Sequence, residues 1–384
     1  MSVLPGSGII SFARGVPSPE LFPVRQLEEA SRLAFQKHSA VGLNYGPPAG
    51  FRPLQEWLGD LYAVAPGRIV ITPGSYTFLA LLARVLVTSG PVLVEAPTYD
   101  RMISMLRRAG AQIVPIGRTA DGIDLGALEK YLETAGRADR PAFLYVMPSF
   151  HNPTGTTMPV PDRERLADLA IRHELLLVED DPYGQLRFDG ESPASLHSLL
   201  TARGAGHLTV FASSFSKIIA PGLRVGYGVL PEHLAGPVTR AAAEAYVSPP
   251  MWPQAVAYEF LAGGFLPAHL VRAREMLRRR RDTLLGRLDA GLSGHARWTV
   301  PDGGYFLWLE LPEQLRSADL LEDCERDGVT FVPGPDCFPD GRGGQNEARI
   351  SFSFPSLGDI AVGADRLTAA ARRRLNIPDD AVTI

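Results

Sequence analysis

Lysine is rare in this chain, and a rare amine indicates what chemistry the chain can perform. Of the 38 basic residues only Lys37, Lys130 and Lys217 are lysines, and the other 35 are arginines. A guanidinium stays protonated, whereas an amine can lose its proton and attack a carbonyl carbon. A lysine kept in an apolar setting therefore indicates chemistry that needs an amine.

Lys217 is that candidate, because it lies in SSFSKIIAPGLRVGY just after an apolar strand predicted at 208–212. Burial lowers the pKa of a lysine, and a neutral amine is what a Schiff base to an aldehyde cofactor requires. The neighbouring Ser214, Ser216 and Arg224 offer hydroxyls and a positive fork at a spacing suited to a phosphate. A lysine in a surface loop is the alternative interpretation.

An acid and a phenol follow another apolar run. The acidic triplet Glu179-Asp180-Asp181 directly follows residues 175–178, and Tyr183, three residues after Asp180, can point into the same cleft if the chain turns there. A carboxylate at the end of a buried strand needs a partner, although a turn or helix-cap aspartate gives the same pattern. The sequence HNPTG at 151–155 follows a third apolar run and is by itself ordinary turn chemistry.

Alternating strands and helices must position these loops. The predicted strands are 68–72, 92–95, 112–116, 142–147, 175–179, 208–212 and 225–230, and the predicted helices between them are 75–87, 99–109, 125–134 and 163–173. This order is typical of βαβ units with a mostly parallel, buried sheet. Ligands of such sheets bind beyond the carboxyl ends of the strands, where the three loops lie.

The C-terminal third has a different pattern. A long helix is predicted from about residue 253 to 288, followed by strands at 298–311, 330–332 and 348–354 mixed with helices. We expect a large α/β domain over 46–275. Residues 1–45 are expected to form an N-terminal arm, and residues 276–384 a smaller α+β domain.

Composition and missing motifs exclude several classes. A net charge of −4 gives no support to a nucleic-acid partner, and no apolar stretch is long enough to predict a membrane span. Cys324 and Cys337 are too few for a disulfide scaffold, and the first residues lack a signal-peptide pattern, so a cytoplasmic location is expected. Neither a GxGxxG nor a GxxxxGK loop occurs, and no histidine or cysteine spacing suggests a metal site.

Taken together, the ordered motifs form a recognisable set. They are FARGVPSPELFP, NYGPPAGFRPL, APTYD, HNPTG, EDDPYG, SFSKIIAPGLRVGY, GGYFLWL and ARISFSF. The chain resembles the fold type I pyridoxal 5′-phosphate (PLP) enzymes of the aspartate aminotransferase superfamily, in particular the 2-aminoadipate and kynurenine aminotransferases. The aminotransferase-like domain of MocR-type regulators is similar too. The resemblance implies an α/β fold with a large, mostly parallel sheet flanked by helices, plus a smaller α+β domain.

The resemblance also implies roles around the cofactor ring. Lys217 would form the internal aldimine with PLP and then move the proton at Cα as base and acid. Asp180 would pair with the pyridine nitrogen and keep the ring an electron sink. Tyr183 and Asn152 would hydrogen-bond the phenolic oxygen, and Tyr99 would stack on the ring.

A second implied set holds the cofactor phosphate. It consists of Gly74, Ser75, Tyr76, Ser214, Ser216 and Arg224, with Tyr45 supplied by the neighbouring subunit. The turn at 74–76 opens a helix, whose N-terminal NH groups favour an anion. A shared tyrosine implies that the active unit is a homodimer.

For the substrate, Arg349 would clamp the α-carboxylate together with Asn152, since a planar fork suits a carboxylate. Gly15 belongs to the N-terminal segment that closes over the substrate in this family. Arg14 is expected to contact an acidic side chain or the α-carboxylate, or to make a salt bridge in solvent. Arg14, Tyr76 and Tyr305 stand where the subgroup often has small, amide and aliphatic side chains, which leaves the substrate open.

The expected activity is transfer of an amino group from an L-amino acid to a 2-oxo acid through Lys217. Two alternatives stay open at this stage. The same cofactor site could serve elimination, decarboxylation, cyclisation or oxidation of an amino acid, because fold does not decide among these reactions. A non-catalytic PLP-sensing module is more remote, since no winged-helix segment precedes FARGVP here.

Overall fold

The computed structural model describes residues 8–136 and 139–378 of the 384-residue chain. Within them the strands, numbered β1 to β13 in chain order, are Ile10–Ser11, Ile69–Thr72, Val92–Ala96, Ile113–Gly117, Phe143–Val146, Leu177–Asp180, Thr209–Ser214, Gly226–Val229, Arg297–Trp298, Phe306–Glu310, Val329–Thr330, Val332–Pro333 and Glu347–Ser351. The helices, α1 to α12, are Val24–Gly42, Arg52–Tyr62, Ser75–Leu86, Asp100–Arg108, Leu125–Thr134, Val160–His173, Leu196–Ala202, Glu232–Tyr246, Met251–Ala262, Leu266–Leu292, Ser317–Arg326 and Leu357–Leu375.

The central sheet has the strand order β2-β8-β7-β6-β5-β3-β4. Its strands from β7 to β4 are parallel, whereas β8 runs antiparallel to both β7 and β2. The inner strands are buried along their whole length, so their apolar residues follow one another, as in FLYV, instead of alternating with polar ones. The predicted mostly parallel sheet is confirmed, and the predicted strand ends differ from the observed ones by one or two residues.

The predicted helix from 253 to 288 is wrong in one respect, because it is two helices. α9 ends at Ala262 and α10 begins at Leu266. Gly264 between them has φ +69°, a left-handed conformation that ends a helix and that glycine adopts without strain. The predicted strand at 298–311 is likewise interrupted, at the Gly303–Gly304 turn between β9 and β10. Helices α1, α2, α7 and α8 have no counterpart in the predicted ranges, and α11 and α12 were expected only as unplaced helices of the C-terminal third.

A second, antiparallel sheet has the order β12-β13-β10-β9. Residues 10–12 pack against the C-terminal part of the molecule. Strand β1 pairs in parallel with β11, the Phe12 amide donates to the Thr330 carbonyl at 2.8 Å, and the Phe12 carbonyl accepts from the Ser351 amide of β13 at 2.8 Å. Residues 13–17 therefore run from the second sheet toward the carboxyl edge of the central one. The domain boundaries at 45/46 and 275/276 stay a prediction.

The carboxyl ends of β5, β6 and β7 lie side by side, since these strands are neighbours in the parallel part of the sheet. The loops that follow them carry Asn152, Tyr183 and Lys217. None of the described helices is long and apolar enough to cross a membrane. In the described ranges no cluster of histidine, cysteine, aspartate or glutamate could hold a metal ion.

Candidate active site

Lys217 lies in the loop after β7 and points toward the N-terminal segment. Its Nζ donates to the carbonyl oxygen of Gly15 at 2.6 Å. Burial lowers the pKa of Lys217 to about 8, and the positive charges of Arg349 and Arg224 act in the same direction. A substantial fraction of this amine is therefore neutral in mildly alkaline solution, as a nucleophile or proton acceptor must be.

Asp180 ends β6 and is 3% exposed. Its Oδ2 accepts a hydrogen bond from the Tyr145 hydroxyl at 2.7 Å, while Oδ1 is buried with no hydrogen-bond partner among the described residues. Burial raises the pKa of Asp180 to about 7, and the Tyr145 hydrogen bond and the charge of Lys217 oppose that rise. A buried carboxylate oxygen without a partner is costly unless a ligand supplies the donor.

Two phenols, Tyr183 and Tyr99, lie near enough to Asp180 for its charge to act on them. Tyr183 is buried, and its ring centroid lies 5.2 Å from that of Tyr305 and 5.8 Å from that of Phe306. Tyr99 precedes α4 and is partly buried, and burial raises its pKa well above the usual value. Burial likewise raises the pKa of Tyr183, so both phenols keep their protons at neutral pH.

Arg349 comes from β13 of the second sheet and reaches the same space. Its Nη1 donates to Oδ1 of Asn152 at 2.9 Å, and its Nη2 donates to the carbonyl oxygen of Ala13 at 2.9 Å. The guanidinium carbon lies 4.6 Å from the Phe306 ring centroid, and Nε is buried without a partner among the described residues. The planar fork is thus fixed in a partly apolar site, where it suits a carboxylate.

A cradle for an anion lies at the start of α3. Gly74 has φ +95°, and a Cβ placed on it would lie 2.5 Å from Nη2 of Arg224. The same Arg224 Nη2 donates to the carbonyl oxygen of Pro73 at 2.8 Å. Ser214, the last residue of β7, and Ser216, in the loop that follows it, are both buried. The helix N-terminus has no side-chain cap, so its free NH groups can serve a phosphate.

The side chains of three predicted site residues make other contacts, or none, in the single chain. Tyr45 follows α1 and is 84% exposed. The Tyr76 hydroxyl accepts a hydrogen bond from Arg108, and the Arg14 guanidinium packs 4.1 Å above the Phe354 ring. Gly15 lies at the centre itself, since its carbonyl oxygen accepts from Lys217 Nζ and a Cβ on it would come within 2.5 Å of the Phe306 ring.

Sequence reasoning missed several groups that support the centre. Tyr145, the donor to Asp180, is one phenol in the aliphatic strand FLYV, and that interruption was its only signal. Beneath the loop of Asn152, the buried Glu95 pairs with Arg118, accepts from the Met147 amide at 2.8 Å and lies 3.3 Å from Nε2 of His151. Glu95 lies at the end of β3 much as Asp180 ends β6, so the same strand-end signal applied to it.

The arrangement fits an aromatic aldehyde that carries a phosphate. A partly neutral amine, a buried carboxylate oxygen that needs a donor, and a helix start that leaves no room for a side chain at Gly74 converge at one edge of the sheet. An amine and an acid with opposed pKa shifts are a recognised mark of acid–base chemistry.

Comparisons with known proteins agree with this chemistry. Residues 9–367 match the family model "Aminotransferase class I and II". A 2-aminoadipate transaminase of Thermus thermophilus is 37% identical over 367 residues, which cover 95% of this chain and 90% of that protein. The crystal structure of LysN, an α-aminoadipate aminotransferase of the same species complexed with N-(5′-phosphopyridoxyl)-L-leucine, superposes with a TM-score of 0.91 at 35% identity, covering 97% of this chain and 94% of that one. A kynurenine aminotransferase of Pyrococcus horikoshii gives a TM-score of 0.90 at 31% identity, with coverages of 96% and 92%.

These matches confirm the fold type I architecture and the resemblance stated from the motifs. They also confirm pyridoxal 5′-phosphate as the cofactor for which the site is built. The chain therefore belongs to the class I and II aminotransferases and is a PLP-dependent enzyme of amino-group transfer.

Proposed function

We propose that this enzyme moves the amino group of an L-amino acid to a 2-oxo acid in the space between the ends of β5, β6 and β7 and residues 13–15. The observation that carries the proposal is the pairing of two groups across that space. The Lys217 amine has a lowered pKa, and the buried Asp180 carboxylate has one oxygen in need of a donor.

PLP supplies the aldehyde that receives the amino group and the ring that accepts electrons when a bond to Cα breaks. Lys217 would hold the cofactor covalently, and its free amine would accept the proton of the substrate's Cα as a base and give it back as an acid. Asp180, with Oδ2 fixed by Tyr145, would use its free Oδ1 to pair with the protonated ring nitrogen. Tyr183 and Asn152 would hydrogen-bond the phenolic oxygen, and Tyr99 would stack on the ring.

The phosphate is held by the start of α3 and by the loop after β7. The amides of Ser75 and Tyr76 point out of the helix start, and Arg224 brings a positive charge against Gly74. Ser214 and Ser216 add hydroxyl donors. A phosphate fixed in this cradle orients the aldehyde toward Lys217 before any substrate arrives.

For the substrate, Arg349 binds the α-carboxylate with the fork that now contacts Asn152 and Ala13. The segment carrying Arg14 and Gly15 forms the wall on the solvent side. Arg14 contacts the end of the substrate's side chain, and its apolar support is the Phe354 ring.

The active unit is a homodimer in the cytoplasm. Large apolar side chains lie exposed around the end of α1 and before α9: Phe35 is 54%, Leu43 67%, Val247 68% and Tyr45 84% exposed. The two segments that carry them pack against each other, since the Phe35 and Trp252 ring centroids lie 4.0 Å apart and the Gly46 amide donates to the Ser248 hydroxyl at 2.9 Å. A patch of this kind favours association with a second copy, and Tyr45 then reaches the partner's phosphate. The two cysteines are free and buried, which suits a reducing compartment.

A substrate screen tests the activity. Purified enzyme loaded with PLP is incubated with a panel of L-amino acids and either 2-oxoglutarate or pyruvate, and the new amino acid and oxo acid are quantified. Exchange should occur with at least one pair, vanish in Lys217→Ala and persist in Lys130→Ala, which changes an exposed lysine on α5. Products formed without an acceptor acid would instead support elimination, decarboxylation, cyclisation or oxidation. If the PLP-loaded enzyme forms no product with any pair, the proposed transfer is refuted and only the binding of the cofactor stays supported.

A mixing experiment tests the dimer. Lys217→Ala and Tyr45→Ala subunits are combined and reassembled, so that half of the sites in each hybrid have both Lys217 and Tyr45. Tight PLP binding should return at those sites. If the protein sediments as a monomer, or if hybrids bind PLP no better than Tyr45→Ala alone, the shared site is refuted.

A further inference from the structure

Tyr305 lies at the junction of the two sheets and contacts the lysine loop. It is 1% exposed, and its hydroxyl donates to the main-chain carbonyl oxygen of Lys217 at 2.8 Å. Its ring centroid lies 5.8 Å from the Lys217 Nζ and 5.2 Å from the centroid of Tyr183. One side chain thus contacts both the backbone of the lysine and the space its amine occupies.

The backbone of Tyr305 is itself held on both sides. The Phe352 amide donates to the Tyr305 carbonyl at 3.0 Å, and the preceding Gly304 amide donates to the Leu186 carbonyl at 3.2 Å. Gly304 has φ +70°, and a Cβ on it would lie 2.6 Å from Cβ of Phe150. The turn therefore requires glycine here, and its close packing delivers the phenol to a fixed position.

The phenol of Tyr305 acts as a hydrogen-bond donor. Burial raises its pKa far above the usual value, so it keeps its proton at neutral and mildly alkaline pH. It is accordingly unsuited to exchange protons with substrate. Its hydrogen bond to Lys217 instead fixes the main chain of the lysine loop relative to the second sheet.

We propose that Tyr305 is a positioning residue for Lys217, holding the lysine backbone through its hydroxyl and limiting the swing of the amine with its ring. This inference rests on the proposed role of Lys217. Without the hydroxyl, the lysine loses one anchor and spends less time in the geometry from which it attacks the aldehyde and transfers the proton. Small displacements of a catalytic group reduce rates even when every reacting group is present.

The test uses Tyr305→Phe, which keeps the ring and removes the hydroxyl. Its matched control is Tyr62→Phe, which removes a half-buried phenol hydroxyl that pairs with the Tyr227 hydroxyl at 2.8 Å and has no hydrogen bond to Lys217. The first measurement is the rate at which PLP-free enzyme captures PLP covalently, followed by borohydride trapping and peptide mapping of the adduct. The second is the kcat and KM of the best substrate pair.

Tyr305→Phe should slow covalent capture and kcat about fivefold with KM unchanged, whereas Tyr62→Phe should change neither. Fivefold corresponds to about 1 kcal/mol, the usual net value of a neutral hydrogen bond. Capture and turnover at the wild-type rate, or a change in KM alone, would overturn the proposal. If Tyr305→Phe does not fold, Tyr305→Met, which keeps apolar bulk, must show the same slow capture.

The capture assay separates this inference from the proposed function. An enzyme that captures PLP on Lys217 but transfers no amino group refutes transamination and leaves the role of Tyr305 to be decided by the capture rates. An adduct that maps to a residue other than Lys217 overturns both.

Discussion

Removing the Tyr145 hydroxyl should weaken PLP binding in a pH-dependent way. Tyr145→Phe deletes the donor that lies 2.7 Å from Oδ2 of Asp180 and keeps the shape of the ring. This hydrogen bond lowers the pKa of Asp180, which burial has raised to about 7, so its loss raises that pKa further. Because only the ionised carboxylate pairs with a protonated ring nitrogen, the variant has less of the binding form at neutral pH.

The size of the effect follows from the charge on the acceptor. A hydrogen bond to a charged group contributes about 1.5–3 kcal/mol, so its loss shifts the ionisation equilibrium of Asp180 about 10- to 150-fold toward the protonated form. At pH 7 the ionised fraction falls from about one half to about 1–10%, so PLP affinity should fall about 5- to 50-fold. At pH 9 the same arithmetic leaves a loss of at most about twofold.

Titration of the PLP-free protein at both pH values, followed by the visible absorbance of the bound cofactor, gives the two ratios. Tyr62→Phe is the control, since it also loses one phenol hydrogen bond. A loss of equal size at pH 7 and pH 9, or the same loss in Tyr62→Phe, would refute the reasoning. No change at either pH would mean that Asp180 does not depend on Tyr145.

The remaining predictions concern the lysine, the anion cradle and the carboxylate fork. Lys217→Ala should abolish both the visible absorbance of lysine-bound PLP and the adduct found by mass spectrometry after borohydride trapping; an adduct on another lysine would contradict this. Gly74→Ala should weaken PLP binding at least about tenfold, because its Cβ meets Arg224 at 2.5 Å and its φ is +95°, while Gly67→Ala, with open space around it, should match wild type in the same titration. Arg349→Lys should lower kcat/KM about 10- to 150-fold, chiefly through KM, because it keeps the charge and loses the planar fork; a fall in kcat at unchanged KM, measured by initial rates, would place Arg349 elsewhere in the reaction.

Much of the fold and the cofactor side of the site could be predicted because they depend on local patterns. Buried parallel strands are apolar runs, and a charged residue close after such a run must be paired, which together with the scarcity of lysine singled out Asp180 and Lys217. The long helix was wrong because one glycine pair, Gly263–Gly264, outweighs the helical periodicity on either side of it. Glycine is tolerated in some helices, so the sequence did not decide that point.

The supporting contacts could not be predicted, because they join distant segments. Tyr305 and Lys217 are 88 residues apart and come from different sheets, and Arg349 and Asn152 are 197 residues apart. Tyr145 reaches Asp180 only because β5 and β6 are paired in the observed register. A phenol that donates to a neighbouring strand and one that merely fills a core give the same sequence pattern.

The N-terminal segment has an energetic consequence for every ligand of this enzyme. The Lys217 amine and the Arg349 guanidinium each already donate to a carbonyl of that segment, at Gly15 and Ala13 respectively. An incoming aldehyde or carboxylate thus exchanges one partner for another, and its affinity reflects only the difference between the two. The same two carbonyls hold the amine and the guanidinium in fixed orientations. The conformational entropy of these side chains is therefore lost during folding and is not lost again when a ligand binds.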